Sequence, residues 1–306
     1  MSAPVASEHD LGALAKYHQF TREHGASKVV YRLTYLILKP LLIGYLRLTR
    51  TGMETIPAEG PVLVVANHRS FLDPFLLGLL FPPSRPVCFM GKAELFARPR
   101  AGWFISRLGC FPVRRGESDP EALETARQML LRGGVLAVFP EGTRLRHGGL
   151  GKPKRGAFRT ALQTGATVLP VCVIGADRVR RAKFIVRPVH CELHAAPPIP
   201  VEAAEPTPEN AKALMEEAWS AVVDRWLENG GSPAPGERER PPLRERVKRA
   251  LPAPRLPERL RFWRRAPADS DARAAGAVDH EVDDLPDEAP VRPLTGDEQP
   301  EVERPE

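Results

Sequence analysis

Cysteine is scarce in this sequence, and its few copies are scattered. Only Cys88, Cys110, Cys172 and Cys191 occur among the 306 residues. They stand singly in apolar surroundings, without the close Cys or His spacing of a zinc site or the density of a disulfide framework. The N-terminus also lacks the basic stretch and apolar core of a secretory signal. These absences indicate a reduced protein that faces the cytosol, and we expect neither a metal nor a resident cofactor.

The sequence also lacks an uncharged hydrophobic run long enough to cross a bilayer. Its most apolar stretch, residues 29–48, carries Arg32, Lys39, Pro40 and Arg47. A charge at the bilayer centre costs about 2.5–3.5 kcal/mol, so spanning is disfavoured. We expect two short amphipathic helices, broken at Pro40, that lie in the membrane interface with their tyrosines near the headgroups. The alternative is that the same helices pack only on the protein's own core.

Nucleic-acid recognition has little support, although the charge alone would permit it. The net charge of +6 hides an acidic segment, residues 269–306, with 13 acidic and 3 basic residues. A basic segment precedes it, residues 237–265, with 11 basic and 4 acidic residues. The remainder is basic, which suits an anionic membrane or a phosphorylated substrate. Because the aromatic and basic patterns of common nucleic-acid modules are absent, we expect no nucleic-acid partner.

Composition divides the chain into three parts. Prolines crowd beyond residue 230, where aromatic and branched residues become rare, so residues 231–306 are predicted to be a disordered tail. The basic part of this tail, with Phe262 and Trp263, admits two interpretations, a second membrane-surface segment or a solvated tail. Residues 1–51 contain the predicted interface helices. Residues 52–230 are predicted to form one catalytic domain.

The region after residue 52 alternates between short apolar runs and stretches of helical spacing. Continuous apolar runs of this length are typical of strands that are covered on both faces. They lie at residues 61–67, 86–90, 135–140, 168–175 and 184–194. Helical spacing marks residues 120–132, 156–164 and 208–229. The pattern predicts an α/β fold with a mixed, largely parallel central sheet flanked by helices.

A histidine and a carboxylate follow the first predicted strand, five positions apart. An aspartate at this spacing can hold one ring nitrogen of His68 while the other nitrogen faces a substrate, so Asp73 is the predicted orienting partner. No GxSxG elbow is present to supply an enzyme nucleophile. The pair therefore favours a substrate hydroxyl as nucleophile, with His68 as general base. The alternative is structural, with His68 satisfying a buried backbone group and Asp73 serving as a turn residue.

A second polar group follows the predicted strand at residues 135–140. It reads Glu141-Gly142-Thr143-Arg144, in which the glycine permits a close backbone approach and the last two side chains can donate to a phosphate. Lys92 and Arg114 are further candidates for phosphate contacts. The alternative is an ordinary Pro-Gly turn with solvated charges.

Four blocks of the sequence carry a family resemblance. Their positions are residues 67–73 (NHxxxxD), 92–96 with 109–114, 139–144 (FPEGTR) and 168–171 (an apolar run with proline). In this order and composition the chain resembles the phospholipid and glycerol-phosphate acyltransferase family, that of PlsC-like 1-acyl-glycerol-3-phosphate acyltransferases. The resemblance covers roughly residues 52–193. Leu145 departs from it, because a serine is common after FPEGTR.

The resemblance implies roles for the candidate residues. His68 is the implied catalytic base and Asp73 its partner, while Arg114 and residues 141–144 bind the phosphate of the acceptor. Lys92 is a further predicted phosphate contact. The N-terminal helices hold the chain on the bilayer. The oxyanion donor is expected to be a backbone amide near Ser70 or Gly142.

The implied reaction is transfer of an acyl group from acyl-CoA or an acyl carrier protein to 1-acyl-glycerol-3-phosphate, a lysophospholipid, giving phosphatidic acid. The expected location is the cytoplasmic face of the cell membrane, as a peripheral or monotopic protein. One alternative keeps the chemistry but uses another lysophospholipid or a glycolipid as acceptor. An alternative of another class is a non-catalytic protein that binds the membrane surface.

Overall fold

A computed structural model describes residues 8–114, 119–145, 148–179, 187–201 and 205–232. All of these belong to one compact unit, Met1–Pro254. The predictions for the tail beyond residue 232 lie outside the described residues, and so does part of the strand predicted at residues 184–194.

The described chain alternates helices and strands. Its helices are α1 (Glu8–His24), α2 (Lys28–Pro40), α3 (Asp73–Leu77), α4 (Pro99–Arg107), α5 (Pro120–Leu131), α6 (Gly156–Thr164) and α7 (Pro208–Glu228). Its strands are β1 (Thr49–Thr51), β2 (Val62–Ala66), β3 (Val87–Lys92), β4 (Cys110–Val113), β5 (Val135–Val138), β6 (Thr167–Ile174) and β7 (Glu192–Ala195). Short helical turns occupy Leu41–Tyr45, Met53–Thr55, Ala93–Phe96 and Ala176–Val179.

The strands form one sheet in the order β1-β7-β6-β2-β5-β3-β4. Every neighbouring pair is parallel except β6 and β7, which run antiparallel. The predicted α/β fold with a mixed, largely parallel sheet is therefore confirmed. In such sheets, ligands bind beyond the carboxyl ends of the strands. The NHxxxxD and FPEGTR motifs both follow strand ends there.

Burial on both faces explains the continuous apolar runs. All five residues of β2 are buried, and they alternate between two hydrophobic clusters. Leu63 and Val65 pack with side chains of α5, α6 and α7, whereas Val62, Val64 and Ala66 pack with α3 and the turn before β1. Since successive strand residues point to opposite faces, a sheet covered by helices on both sides needs apolar residues throughout.

Capping residues set the helix boundaries that the sequence predicted. Asp119 accepts a hydrogen bond from the backbone amide of Ala122 at the start of α5, and Thr207 accepts one from Asn210 at the start of α7. Such side chains satisfy amides that have no partner within the helix. Gly165 ends α6 in the left-handed conformation. The predicted helices at residues 120–132, 156–164 and 208–229 are confirmed to within one residue at each end.

The N-terminal region differs from its prediction in one respect. The apolar stretch does form α2, but Pro40 is followed by a single π-helical turn, Leu41–Tyr45, and no separate second helix. Tyr31 is buried and its hydroxyl accepts from the amide of Val87 at 3.2 Å, so its expected place in the membrane interface is wrong. Within the described ranges, no helix is both long enough and apolar enough to cross a membrane.

The strands β1 and β4 and the helices α1 and α4 were not predicted. The strands β1 and β4 have only three and four residues, and partners elsewhere in the sheet stabilise them. Helix α1 has a weak apolar pattern, yet its His18 is buried and contacts the Thr125 hydroxyl of α5 at 3.0 Å. Short or weakly patterned segments depend on distant contacts that a local reading of the sequence does not contain.

Gly175, the residue after β6, allows a test of how tightly the backbone packs at the carboxyl end of this strand. It has a φ of +80°, and a Cβ there would overlap the carbonyl oxygen of His190. Gly165 has a similar φ of +63° but open space around it. We expect Gly165→Ala to lower the free energy of unfolding by about 1–2 kcal/mol. Gly175→Ala should cost roughly 1–3 kcal/mol more, because the backbone must also move.

Urea denaturation of both variants measures this difference. Equal losses in the free energy of unfolding would show that the loop after β6 accommodates a Cβ at Gly175 without additional destabilisation.

Candidate active site

Asn67 fixes the end of β2, from which the site begins. Its side-chain amide donates to the carbonyl oxygen of Val173 at 2.9 Å, and its carbonyl oxygen accepts from the amide of Val173 at 2.7 Å. This two-point contact continues the pairing of β2 with β6 by one residue. The next residue, His68, therefore leaves the sheet at a defined place and angle.

The carboxylate of Asp73 organises the turn that carries His68. Its Oδ2 accepts from the ring Nδ1 of His68 at 2.8 Å and from the backbone amides of Arg69 and Ser70, both at 2.7 Å. An ionised carboxylate only accepts, so Nδ1 carries the proton and the other ring nitrogen, Nε2, is left as a base. The ring of His68 also stacks on Phe139, with centroids 4.0 Å apart.

Glu141 connects the two motifs. One carboxylate oxygen accepts from the backbone amide of His68 and the other from that of Gly151, each at 2.9 Å. A further bond joins the amide of Leu145 to the carbonyl oxygen of His68 at 3.0 Å. Burial raises the pKa of Glu141, and the two amide bonds oppose that rise. These contacts indicate a positioning role, while the predicted phosphate contact of Glu141 stays a prediction.

Ser70 has the geometry of a turn residue. It is buried, and its Oγ accepts from the amide of Leu72 at 3.3 Å. The backbone amides of Ser70 and Gly142 already donate to Asp73 and to the carbonyl oxygen of Phe139. Both amides are thus already hydrogen-bonded in this structure. The expected oxyanion donor, a backbone amide near Ser70 or Gly142, stays a prediction.

A largely apolar cavity of about 360 Å³ begins at His68. One wall is the inner face of α2, formed by Tyr31, Thr34, Tyr35 and Leu38. Another part of the wall is formed by Leu95, Ile105, Leu108 and Cys110. Cavities of this size and character accommodate apolar ligands that a few polar groups orient. Burial raises the pKa of the Cys110 thiol to about 12, so that this wall carries no charge near neutral pH.

Two of the predicted phosphate contacts reach this cavity. Lys92 and Arg144 both line it, and both side chains are exposed. Lys92 also pairs with Glu94. At Gly142, with a φ of +73°, an added Cβ would lie 3.1 Å from the ammonium of Lys154, which places another cation beside this loop. Thr143 is exposed on the same loop.

Arg114 is occupied elsewhere. Its guanidinium donates to both oxygens of Asp119, at 3.3 and 3.2 Å, and its backbone amide donates to the same carboxylate at 2.8 Å. These bonds contribute to a lowered pKa of Asp119, against the opposing effect of burial. The implied phosphate contact of Arg114 stays a prediction. Phosphate binding there would compete with the existing ion pair between Arg114 and Asp119.

Sequence reasoning overlooked three residues that shape the site. They are Asn67, Phe139 and Arg69. Arg69 is buried, donates to the carbonyl oxygens of Gly148 and Gly149, and lies 5.0 Å from the ring of Trp226. All three lie within the NHxxxxD and FPEGTR blocks, and this position was the signal that could have identified them. Among the residues that the structure describes, no cluster of metal-ligating side chains occurs, and the expectation of metal-free chemistry stays a prediction.

Comparison with known proteins gives consistent matches. The family model described as Acyltransferase matches residues 47–174. The chain is 32% identical over 228 residues to a 1-acyl-sn-glycerol-3-phosphate acyltransferase of Saccharomyces cerevisiae, covering 72% of this chain and 73% of that protein. It is 31% identical over 167 residues to a chloroplastic 1-acyl-sn-glycerol-3-phosphate acyltransferase of Arabidopsis thaliana, covering 54% of this chain.

A further relative is named for a different acceptor. A lyso-ornithine lipid O-acyltransferase of Pseudomonas aeruginosa is 38% identical over 114 residues, covering 37% of this chain and 43% of that protein. The chain likewise spans only 43% of the length of the Arabidopsis protein.

The turn held by Asp73 predicts a stability difference between two substitutions. Asp73→Ala removes the acceptor of three donors and leaves two buried backbone amides unpaired, so the free energy of unfolding should fall by about 2–5 kcal/mol. Asp73→Asn keeps one oxygen that can accept, and should cost about 1–2 kcal/mol. Urea denaturation measures both. Similar small losses would show that the turn forms without the carboxylate.

Proposed function

Since this chain belongs to the acyltransferase family, we propose that it transfers an acyl group from a thioester to the free hydroxyl of 1-acyl-glycerol-3-phosphate. The product is phosphatidic acid, and the donor is acyl-CoA or an acyl carrier protein. The observation that carries the proposal is the pairing of His68 with Asp73 at an apolar cavity that Lys92 and Arg144 also line.

The geometry suits general base catalysis with the substrate as nucleophile. Asp73 holds Nδ1 of His68 at 2.8 Å, which leaves Nε2 to remove the proton of the acceptor hydroxyl. The hydroxyl oxygen then attacks the thioester carbonyl, and a tetrahedral intermediate forms. Its collapse breaks the carbon–sulfur bond, and the leaving sulfur takes the proton from the imidazolium. No covalent acyl-enzyme is required, which agrees with the buried, hydrogen-bonded position of Ser70.

The two ends of a lysophospholipid match the two kinds of surface at the site. Lys92 and Arg144 can bind the phosphate as charge-assisted donors. The apolar walls can hold an acyl chain, which is thereby removed from water. Binding both substrates next to Nε2 supplies proximity and orientation, the largest source of rate gain available to a site without a nucleophile of its own. Glu141 keeps the base in register by fixing the backbone amide of His68.

Helix α2 supports a membrane location for this chemistry. Val29, Leu33, Leu36 and Ile37 form an exposed apolar stripe, with exposed fractions from 55% to 69%. The opposite face of the same helix lines the cavity. A helix with this stripe and with Arg32 beside it suits the interface of an anionic bilayer. We therefore propose a peripheral or monotopic location on the cytoplasmic face of the cell membrane.

A second acceptor has a specific observation in its favour. The relative with 38% identity is named for lyso-ornithine lipid, an acceptor other than lysophosphatidic acid. Exchanging the acceptor would leave the roles of His68 and Asp73 unchanged. Only the headgroup that Lys92 and Arg144 bind would differ. The assay below therefore includes both acceptors.

The role of His68 predicts the result of a direct assay. The wild type should transfer a labelled acyl group from acyl-CoA or acyl carrier protein to lysophosphatidic acid in detergent. His68→Ala should lower kcat by about 10²–10⁴-fold, because the general base is lost. Full activity in the variant would contradict the mechanism. If product forms only with lyso-ornithine lipid, that lipid replaces lysophosphatidic acid as the assigned acceptor. Vesicle binding without any transfer would support a non-catalytic protein.

Arg144 predicts how the acceptor is selected. Arg144→Gln should raise KM for lysophosphatidic acid about tenfold or more, since a charge-assisted contact to phosphate is lost. The KM for an acceptor without phosphate should not change. Arg159→Gln, an exposed arginine of α6, is the control and should leave both values unchanged. A similar rise in KM for both acceptors would show that Arg144 does not bind the acceptor phosphate.

A further inference from the structure

Helix α4 exposes two large aromatic side chains next to arginines. Trp103 is 50% exposed and Phe104 is 44% exposed. Arg98 and Arg100 in the first turn of this region are exposed as well. No acidic residue occurs between positions 95 and 107. Glu23 of α1 lines the same surface depression as Trp103, together with Lys16 and Arg107, so cations outnumber carboxylates around the aromatic pair. An exposed apolar patch beside an excess of positive charge is typical of a surface that meets something apolar and anionic.

This aromatic face is the outer side of a firmly packed helix. On the inner side of α4, a Cβ at Gly102 would lie 2.6 Å from the hydroxyl oxygen of Tyr17, so α4 and α1 pack closely. The guanidinium of Arg107 lies 3.9 Å from the ring centroid of Phe20 and 5.2 Å from that of Trp103. These contacts hold the Trp103 ring in place while half of its surface stays in solvent.

Helices α4 and α2 are neighbours along the same cavity. The backbone amide of Ser27, which caps α2, donates to the carbonyl oxygen of Arg107 at 2.9 Å. Side chains of α2 line the cavity, and Ile105 of α4 lines it as well. The end of α4 is therefore joined to the start of α2, beside a cavity that both helices line.

We propose that α4 is a second membrane contact, in which Trp103 and Phe104 enter the interface and Arg98 and Arg100 bind lipid phosphates. Tryptophan is enriched at the membrane interface, where its ring is apolar and its N–H remains hydrated. Each arginine near an anionic bilayer contributes through its charge. This inference rests on the proposed function, in which a lipid substrate enters the cavity from a bilayer. Both helices that line the cavity, α2 and α4, would then contact that bilayer.

The aromatic pair favours a lipid surface over an acidic protein partner such as a carrier protein. A carrier protein would be attracted by the arginines, but neither Trp103 nor Phe104 adds to attraction between charges. Partitioning of rings into a bilayer uses both features. The two partners are distinguishable because ionic attraction is screened by salt and apolar burial is not.

Binding to vesicles of stated composition tests the proposal. The full-length protein is mixed with vesicles of phosphatidylglycerol and phosphatidylcholine, and the bound fraction is measured by flotation. Arg98→Gln/Arg100→Gln should weaken binding about thirtyfold at low salt. Trp103→Ser/Phe104→Ser should weaken it about tenfold or more. In about 1 M NaCl, where the Debye length is about 3 Å, only the aromatic variant should still differ from wild type.

Matched controls come from other exposed helix surfaces. Leu123→Ser/Leu131→Ser removes two exposed apolar side chains from α5, and Lys212→Gln/Arg225→Gln removes two charges from α7. Both should bind vesicles like wild type. Equal losses in the controls, or unchanged binding in both α4 variants, would overturn the proposal. Unchanged vesicle binding with slower turnover on acyl carrier protein would also overturn it, because the helix would then bind a protein.

A fluorescence measurement reports on Trp103 itself. Trp219 and Trp226 are buried, so in a Trp263→Phe background the accessible emission should come from Trp103. Brominated phosphatidylcholine should quench that emission in the Trp263→Phe protein and not in Trp103→Phe/Trp263→Phe. Quenching that is equal in the two proteins would overturn the proposal.

Transfer to lysophosphatidic acid in detergent separates this inference from the proposed function. The α4 variants should keep wild-type turnover there, since their substituted side chains do not line the cavity. Loss of vesicle binding with normal turnover supports the second contact. If wild type fails to turn over any lysolipid but the α4 variants still lose vesicle binding, the reaction is wrong and the membrane contact stands.

Discussion

The carboxylate of Asp73 is the constraint on which the rest of the site depends. A single oxygen accepts three hydrogen bonds, one from the ring of His68 and two from the backbone that follows it. The same group thus shapes the turn and sets the tautomer of the His68 imidazole. Because the group is fully buried, its charge is stabilised by these donors and not by water. The contacts that orient the His68 ring are therefore the same contacts that form the loop.

The parallel sheet brings the second motif to this turn. β2 and β5 are adjacent and parallel, so their carboxyl ends lie at the same edge although 73 positions separate His68 from Glu141. The carboxylate of Glu141 then spans from the His68 amide to the Gly151 amide. Burial raises its pKa, and the hydrogen bonds that offset this effect come from the backbone it has to hold. The two blocks form a single hydrogen-bonded unit.

Helix α2 connects this polar unit with an apolar environment. Its inner face, from Tyr31 to Leu38, lines the cavity, while Val29 and Ile37 remain exposed on the outer face. A helix that is apolar on both faces is stable at a protein surface only when something covers the outer face. In the proposed function that cover is the bilayer, which would also deliver a lysolipid to the site. In the further proposal, the aromatic residues and arginines of the neighbouring α4 contact the same bilayer.

Much of this protein is determined by local sequence. Strands buried on both faces require continuous apolar runs, and caps such as Asp119 and Thr207 fix helix starts, so fold class and most boundaries could be predicted. The motif spacing likewise pointed to His68 and Asp73. Only the tertiary structure decided which cations reach the cavity, because Arg114 pairs with Asp119 whereas Lys92 and Arg144 line the opening. It also buried Tyr31 and turned Glu141 towards backbone amides. These outcomes depend on contacts between segments far apart in sequence, and residue type and local spacing do not specify which partner each side chain meets.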